Sequence, residues 1–141
     1  DALPSLEHLH LENADLSADD IHVIARAFPK LVSLDIGDNE ARTATVDLPK
    51  LLEDAPGLRR LRLSRLDLSD EHVAALARAP AAQQLVQLDL SSNQLGNAGA
   101  LALAESPYLH GLRRLQLAAN SIGHDARQAL GRAFPATALD L

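Results

Sequence analysis

The stretch from Leu85 to Leu95, LVQLDLSSNQL, constrains what this chain can fold into more than any other. Leucine falls at offsets 0, 3, 5 and 10 and asparagine at offset 8; apolar and polar residues alternate over Gln87 to Ser91, and the chain turns at Ser91-Ser92-Asn93. Alternation of period two marks a strand with one buried face. A strand this short cannot bury its own leucines, so the question is whether it repeats. The template reappears as LEHLHLENADL from Leu6, LVSLDIGDNEA from Leu31, LRRLRLSRLDL from Leu58 and LRRLQLAANSI from Leu112, with a fragment, ATALDL, from Ala136. Starts at 6, 31, 58, 85, 112 and 136 are spaced by 25, 27, 27, 27 and 24 residues. Chance supplies one or two matches in a leucine-rich chain, but not a register held from end to end.

The segments between these strands carry helical signals. In the first unit Ser17 can cap a helix whose first turn holds Asp19 and Asp20, at the positive end of its dipole. Ile21, Ile24, Ala25 and Phe28 then fall on one face, and Pro29 stops the helix. The second unit departs from this scheme. Its segment from Ala41 to Gly57 lacks the serine cap, and Asp47 before Leu48-Pro49 predicts a late, short helix over Pro49 to Asp54. Repeat drift explains that departure more simply than a functional insertion does. The third unit restores the pattern, with Ser69 as cap, Asp70 and Glu71 in the first turn, Val73, Leu76 and Ala77 inward, and Pro80 at the end. In the fourth, Asn97 is the expected cap, with Ala100, Leu103 and Ala104 inward and Pro107 closing. The fifth helix opens at Gly123-His124-Asp125 and runs through Leu130 and Phe134 to Pro135. A parallel strand every 24 to 27 residues with a helix between is the sequence form of a curved α/β solenoid.

The units LVQLDLSSNQLGNAGALALAESPYLHG and LRRLQLAANSIGHDARQALGRAFPAT resemble leucine-rich repeats of the helical, ribonuclease-inhibitor-like type, and bacterial arrays in particular. The resemblance covers nearly the whole chain and is strongest from Leu58 onward. It implies a right-handed α/β horseshoe segment, with a parallel sheet on the concave face and helices on the convex one. It also implies a corner role for Asn39, Asn93 and Asn120, whose side chains bond neighbouring backbone in a ladder. Ala14 and Leu66 occupy the matching positions of the first and third units, where the ladder is expected to be interrupted and the corner to depart from regular geometry.

Composition narrows the function. Residues 1–141 are long enough for a single repeat domain, and the chain has no cysteine, which removes disulfides, thiolate metal sites and cysteine nucleophiles. No apolar run approaches the roughly 20 residues of a membrane span. A formal net charge of −6 disfavours tracking of nucleic-acid phosphates. An acidic chain with no signal peptide is expected in the cytoplasm, secretion remaining open because the sequence starts at Asp1 rather than Met. The preference for Arg over Lys and the abundance of Ala fit a GC-rich, bacterial genome. No Ser-His-Asp set, glycine-rich phosphate loop or catalytic acid pair stands out, and Ser64 and Ser91 lack an obvious base, so the expectation is a non-enzymatic chain without a cofactor.

Function then rests on what the strands point outward. Alternation and stacking arrange these positions in rows: His8, Ser33, Arg60, Gln87, Arg114 and Ala138; His10, Asp35, Arg62, Asp89, Gln116 and Asp140; and Glu12, Gly37, Ser64, Ser91 and Ala118. In the middle row Asp35, Arg62 and Asp89 alternate in sign and can form a lateral ion-pair ladder, which in a solvated face is worth little per pair. The alternative is a charge-patterned docking surface for a protein, comprising His8, His10, Asp35, Arg60, Arg62, Gln87, Asp89, Arg114 and Gln116, with the arginines as anchors. The face carries no aromatic side chain. His8 and His10 with Asp35 have the residue types of a metal site, though such a set on an exposed first strand is more often incidental. The expected function is a protein-interaction or scaffold module. A regulator of an enzyme, such as a GTPase-activating or inhibitor-type array, and a structural spacer are the alternatives. The chain opens on LPSLEHLHL and ends on a bare strand, ALDL, as expected of a fragment of a longer protein, of edge-strand self-association, or of an edge covered by another domain.

Overall fold

The computed structural model describes residues 5–39 and 46–141. Among them, strands β1 (His8–His10), β2 (Ser33–Asp35), β3 (Arg60–Arg62), β4 (Gln87–Asp89), β5 (Arg114–Gln116) and β6 (Ala138–Asp140) form one open parallel sheet in sequence order. Helices α1 (Ala18–Ala27), α2 (Leu48–Asp54), α3 (Asp70–Ala77), α4 (Asn97–Glu105) and α5 (His124–Ala133) alternate with the strands. This is the α/β solenoid expected from the repeats. Each strand has a leucine at its centre, and the register sets Leu9, Leu34, Leu61, Leu88, Leu115 and Leu139 side by side. Leu34, Leu61, Leu88 and Leu115 are essentially buried, as are Ile36, Leu63, Leu90 and Leu117 two residues on. They pack in one apolar cluster with Ile21, Leu51, Leu76, Leu103 and Leu130 from the five helices. Burying a leucine contributes about 1.5–3 kcal/mol, so stacking of neighbouring units stabilises strands that are individually too short.

The first strand differs from the expected stack. Leu6, Leu9 and Leu11 are only partly buried, because among the described residues β1 has a neighbour on one side alone. Leu139 on β6 is partly buried for the same reason.

Helix starts follow local chemistry. Ser17 and Asp20 form a reciprocal capping box: the Asp20 amide donates to Ser17 Oγ at 3.2 Å and the Ser17 amide to Asp20 Oδ2 at 2.8 Å. At α3 the Ser69 amide donates to His72 Nδ1 at 3.1 Å. The short helix of the second unit starts one residue earlier than expected, at Leu48, with Asp47 capping the Lys50 amide at 3.1 Å. Pro80 does not end α3; that helix stops at Ala77, and Pro80 opens a 3₁₀ turn through Gln84. Of the segment from Ala41 to Gly57, residues 41–45 lie outside the described residues; Val46 and Leu48 are buried core.

Asn97 is not the cap of α4. That position belongs to Gly96, and Asn97 is the first helical residue. Its Oδ1 instead accepts the Gly123 amide at the start of α5, at 2.7 Å. Asp70, first residue of α3, does the same for Gly96 at 2.8 Å. From α3 onward each helix thus supplies an oxygen to the start of the next, satisfying an amide that the receiving helix itself leaves orphaned. Gly99 makes room for this, since a Cβ there would sit 2.5 Å from Asp70 Oδ1.

A second ladder runs through the corners, and its direction corrects the expected gaps. Asn39 Oδ1 accepts the amides of Ala14 and Leu16 in the preceding unit, at 3.0 and 3.1 Å. Asn93 Oδ1 takes those of Leu66 and Leu68, both at 3.0 Å, and Asn120 Oδ1 those of Asn93 and Leu95, at 3.2 and 3.0 Å. Each asparagine serves the unit before it, so the first and third corners are bonded although Ala14 and Leu66 stand there; Leu66 is itself fully buried. Their backbone nonetheless departs from that of the fourth and fifth corners. Every corner has a left-handed residue at one position (Asn13, Asp38, Arg65, Ser92 and Ala119), and the first and third add another at Asp15 and Asp67. Asp tolerates that region because its short polar side chain bonds locally.

Candidate functional site

The face of the sheet away from the helices carries the rows expected from the sequence. Register places His8, Ser33, Arg60, Gln87, Arg114 and Ala138 in one line, and His10, Asp35, Arg62, Asp89, Gln116 and Asp140 in the next. Arg60, Leu61, Arg62, Gln87, Asp89 and Gln116 line a depression of about 270 Å³ over β3 to β5.

The middle row is an ion network in the register direction. Arg62 Nη1 lies 3.4 Å from Asp35 Oδ2, and its Nε lies 3.2 Å from Asp89 Oδ2. Glu12 Oε1 is a further 3.9 Å contact of the same guanidinium. Asp35 and Asp89 are only 8% and 5% exposed, so they are not the solvated acids that alternation suggests. Each turns its other oxygen onto its own strand end. Asp35 Oδ1 accepts the Gly37 amide at 3.0 Å, and Asp89 Oδ1 accepts both the Ser91 amide at 2.9 Å and Ser91 Oγ at 2.6 Å. A carboxylate bonded on both oxygens closes the strand and fixes Arg62, with little left for a ligand. Gly37 is required beside it, because a Cβ would meet Ser64 Oγ at 2.7 Å.

The two histidines go separate ways. His10 joins Asp35 at 3.0 Å and Glu12 at 3.2 Å, while His8 Nδ1 faces Arg60 Nη2 at 3.4 Å. The ligand types that converge are therefore His10, Glu12 and Asp35, not His8, His10 and Asp35. Glu12 stands in the third outward row, next to His10 at the period-two spacing, but sequence reasoning did not group it with the histidines; the structure brings it to His10 at 3.2 Å. Against a cation, Arg62 already occupies both carboxylates of that set. The Ser–His pair of Ser69 and His72, 3.0 Å apart, is likewise part of a helix cap.

The first row is different. Arg60 and Arg114 are exposed, and among the described residues neither meets a carboxylate. Gln87 stands between them and is half-buried. Sequence reasoning grouped all three arginines as anchors; the structure separates Arg62, held by acids, from Arg60 and Arg114.

Comparison with known proteins bears on the fold. A family model described as Leucine Rich repeat matches residues 82–104, which include β4 and most of α4. No curated protein matches the chain by sequence. Among solved structures, one titled leiomodin-1 actin-binding site 2 superposes with a TM-score of 0.70 at 15% identity, covering 86% of this chain and 77% of that one. The tropomodulin C-terminal domain from Caenorhabditis elegans gives 0.66 at 20% identity, with 94% and 84% covered. A Bacteroides fragilis protein gives 0.72 at 19% identity, covering 97% of this chain and 41% of that longer one. At these identities the likeness is one of fold.

Proposed function

We propose that this chain, a leucine-rich repeat array by fold, is a protein-docking module whose open sheet face receives the partner. The observation that carries the reading is the separation of charges on that face. A polar platform of short strands is held rigid by the Arg62 network and the two ladders; it presents exposed Arg60 and Arg114 with half-buried Gln87 and Gln116, and Arg60, Gln87 and Gln116 line a shallow depression. Rigid, pre-ordered side chains lower the entropic cost of association. Arginines are frequent anchors at protein interfaces. The buried oxygens of Asp35 and Asp89 serve the fold, and the Ser91 hydroxyl beside the depression is spent on Asp89 at its own strand end, so binding rather than catalysis is what the described residues support. The actin-binding title of one structural neighbour supports a protein as ligand without identifying it.

Affinity capture with three forms of the chain tests this. The parent and Val23→Glu/Leu101→Glu, altered at exposed apolar residues of α1 and α4, should retain the same partner, and Gln87→Trp, which fills the middle of the sheet face, should lose it. Capture lost with the helix-side variant but kept by Gln87→Trp would overturn the proposal.

A further inference from the structure

The N-terminal lip of the sheet is basic in a chain that is acidic overall. The residue before each strand and the first strand residue are Glu7-His8, Val32-Ser33, Arg59-Arg60, Val86-Gln87, Arg113-Arg114 and Thr137-Ala138. These twelve positions hold four of the chain's 13 Lys and Arg residues and only one acid, against a formal net charge of −6 overall. Backbone bonds fix the lip: the Arg59 amide donates to Val32 O at 2.8 Å, Val86 to Arg59 O at 2.7 Å, and Arg113 to Val86 O at 2.7 Å. The two arginine pairs therefore sit two strand spacings apart, about 10 Å. All four arginines are exposed. The bonds recorded for Arg59 go to the carbonyls of Pro56 and Leu58, and the contact of Arg60 is His8, so within the described residues no carboxylate neutralises them.

Resting on the reading of this face as a docking surface, we infer that Arg59-Arg60 and Arg113-Arg114 form a two-point clamp for an acidic peptide segment of a partner protein. The segment presents carboxylates about 10 Å apart, one to each pair, across Gln87. The guanidinium fork matches a carboxylate through two parallel hydrogen bonds, which gives the clamp directionality as well as charge. A nucleic-acid strand is disfavoured by what lies beside the lip: the middle and last rows set Asp35, Asp89, Asp140 and Glu12 against a single arginine, Arg62, so a long polyanion crossing the strands lengthwise meets net like charge. A short acidic segment laid along the lip avoids them.

A phage-displayed library of random 16-residue peptides, selected on the intact chain, tests the inference. Peptides enriched in Asp and Glu should emerge, and the same peptides, synthesised and labelled with fluorescein, should bind Arg60→Glu/Arg114→Glu at least tenfold more weakly. Arg78→Glu/Arg132→Glu, with the same change in net charge on the helix side, should bind them within twofold of the parent. Circular dichroism melts of both variants should overlay the parent. Neutral or basic winners, acidic winners indifferent to Arg60 and Arg114, equal losses in the two variants, preferred binding of a thymidine 15-mer, or no enrichment would each overturn the clamp. The wider reading fails separately: winners of any charge that bind Gln87→Trp as well as the parent remove the sheet face altogether.

Discussion

Replacing Asn93 with alanine probes the corner ladder where it is complete. Its Oδ1 accepts the Leu66 and Leu68 amides at 3.0 Å, and its Nδ2 donates to the Leu63 and Leu90 carbonyls at 2.9 Å. Alanine takes this partner from all four at a half-buried corner, and the Leu90 carbonyl keeps another, Asn120 Nδ2 at 3.0 Å. A buried polar group without a partner costs about 1–3 kcal/mol, and since water reaches part of this corner the low end applies, giving roughly 3 kcal/mol for the other three. In a chain of 141 residues that corresponds to a fall in Tm of roughly 10 °C. Asn93→Asp is expected to be no milder, because it keeps the acceptor for the two amides but turns an oxygen toward the two carbonyls. Urea titration followed by circular dichroism gives the free energy, and hydrogen exchange locates it. The Leu66 and Leu68 amides should lose protection before those of Ala14 and Leu16, which Asn39 holds. A fall in Tm below about 2 °C with protection at Leu66 and Leu68 unchanged would refute the reasoning.

Three further outcomes follow from the packing and the ion network. Leu88→Ala, in a fully enclosed strand, should cost about 2–5 kcal/mol in urea titration, whereas Leu9→Ala on the half-covered first strand should cost about 1. Gly99→Ala should push away the Asp70 carboxylate, which lies 2.5 Å from the new Cβ, at about 1–3 kcal/mol, and Asp70→Ala in the same chain should recover part of that loss in a double-mutant cycle. Arg62→Ala leaves Asp35 and Asp89 without their guanidinium and should lower stability by about 1–2 kcal/mol, water around the half-exposed Arg62 moderating the effect, while Arg60→Ala and Arg114→Ala should stay within about 0.5.

The sheet was legible in the sequence because two rules combine: side chains alternate along a strand, and a constant repeat offset makes each position its own neighbour in a parallel stack. That is why the rows from His8 to Ala138 and from His10 to Asp140 could be written down residue by residue. Direction was not legible. Nothing in L-x-x-L-x-L-x-x-N says that the asparagine reaches back one unit, so Ala14 and Leu66 looked like gaps although their amides are held by Asn39 and Asn93. Burial of Asp35 and Asp89 was hidden too, because each is an outward position whose carboxylate curls onto the amide two residues later. The cap relay did leave a trace that went unread: Asp70 is followed 26 residues on by Gly96, and Asn97 by Gly123, the spacing at which one helix start meets the next.

The central claim is that the partner lies on the sheet and not on the helices. A photo-reactive benzoylphenylalanine placed at Gln87, and separately at the exposed Val23 of α1, tests it with the captured partner present. Illumination should give a covalent adduct from position 87 and none from position 23. An adduct from position 23 with none from position 87 would contradict the account.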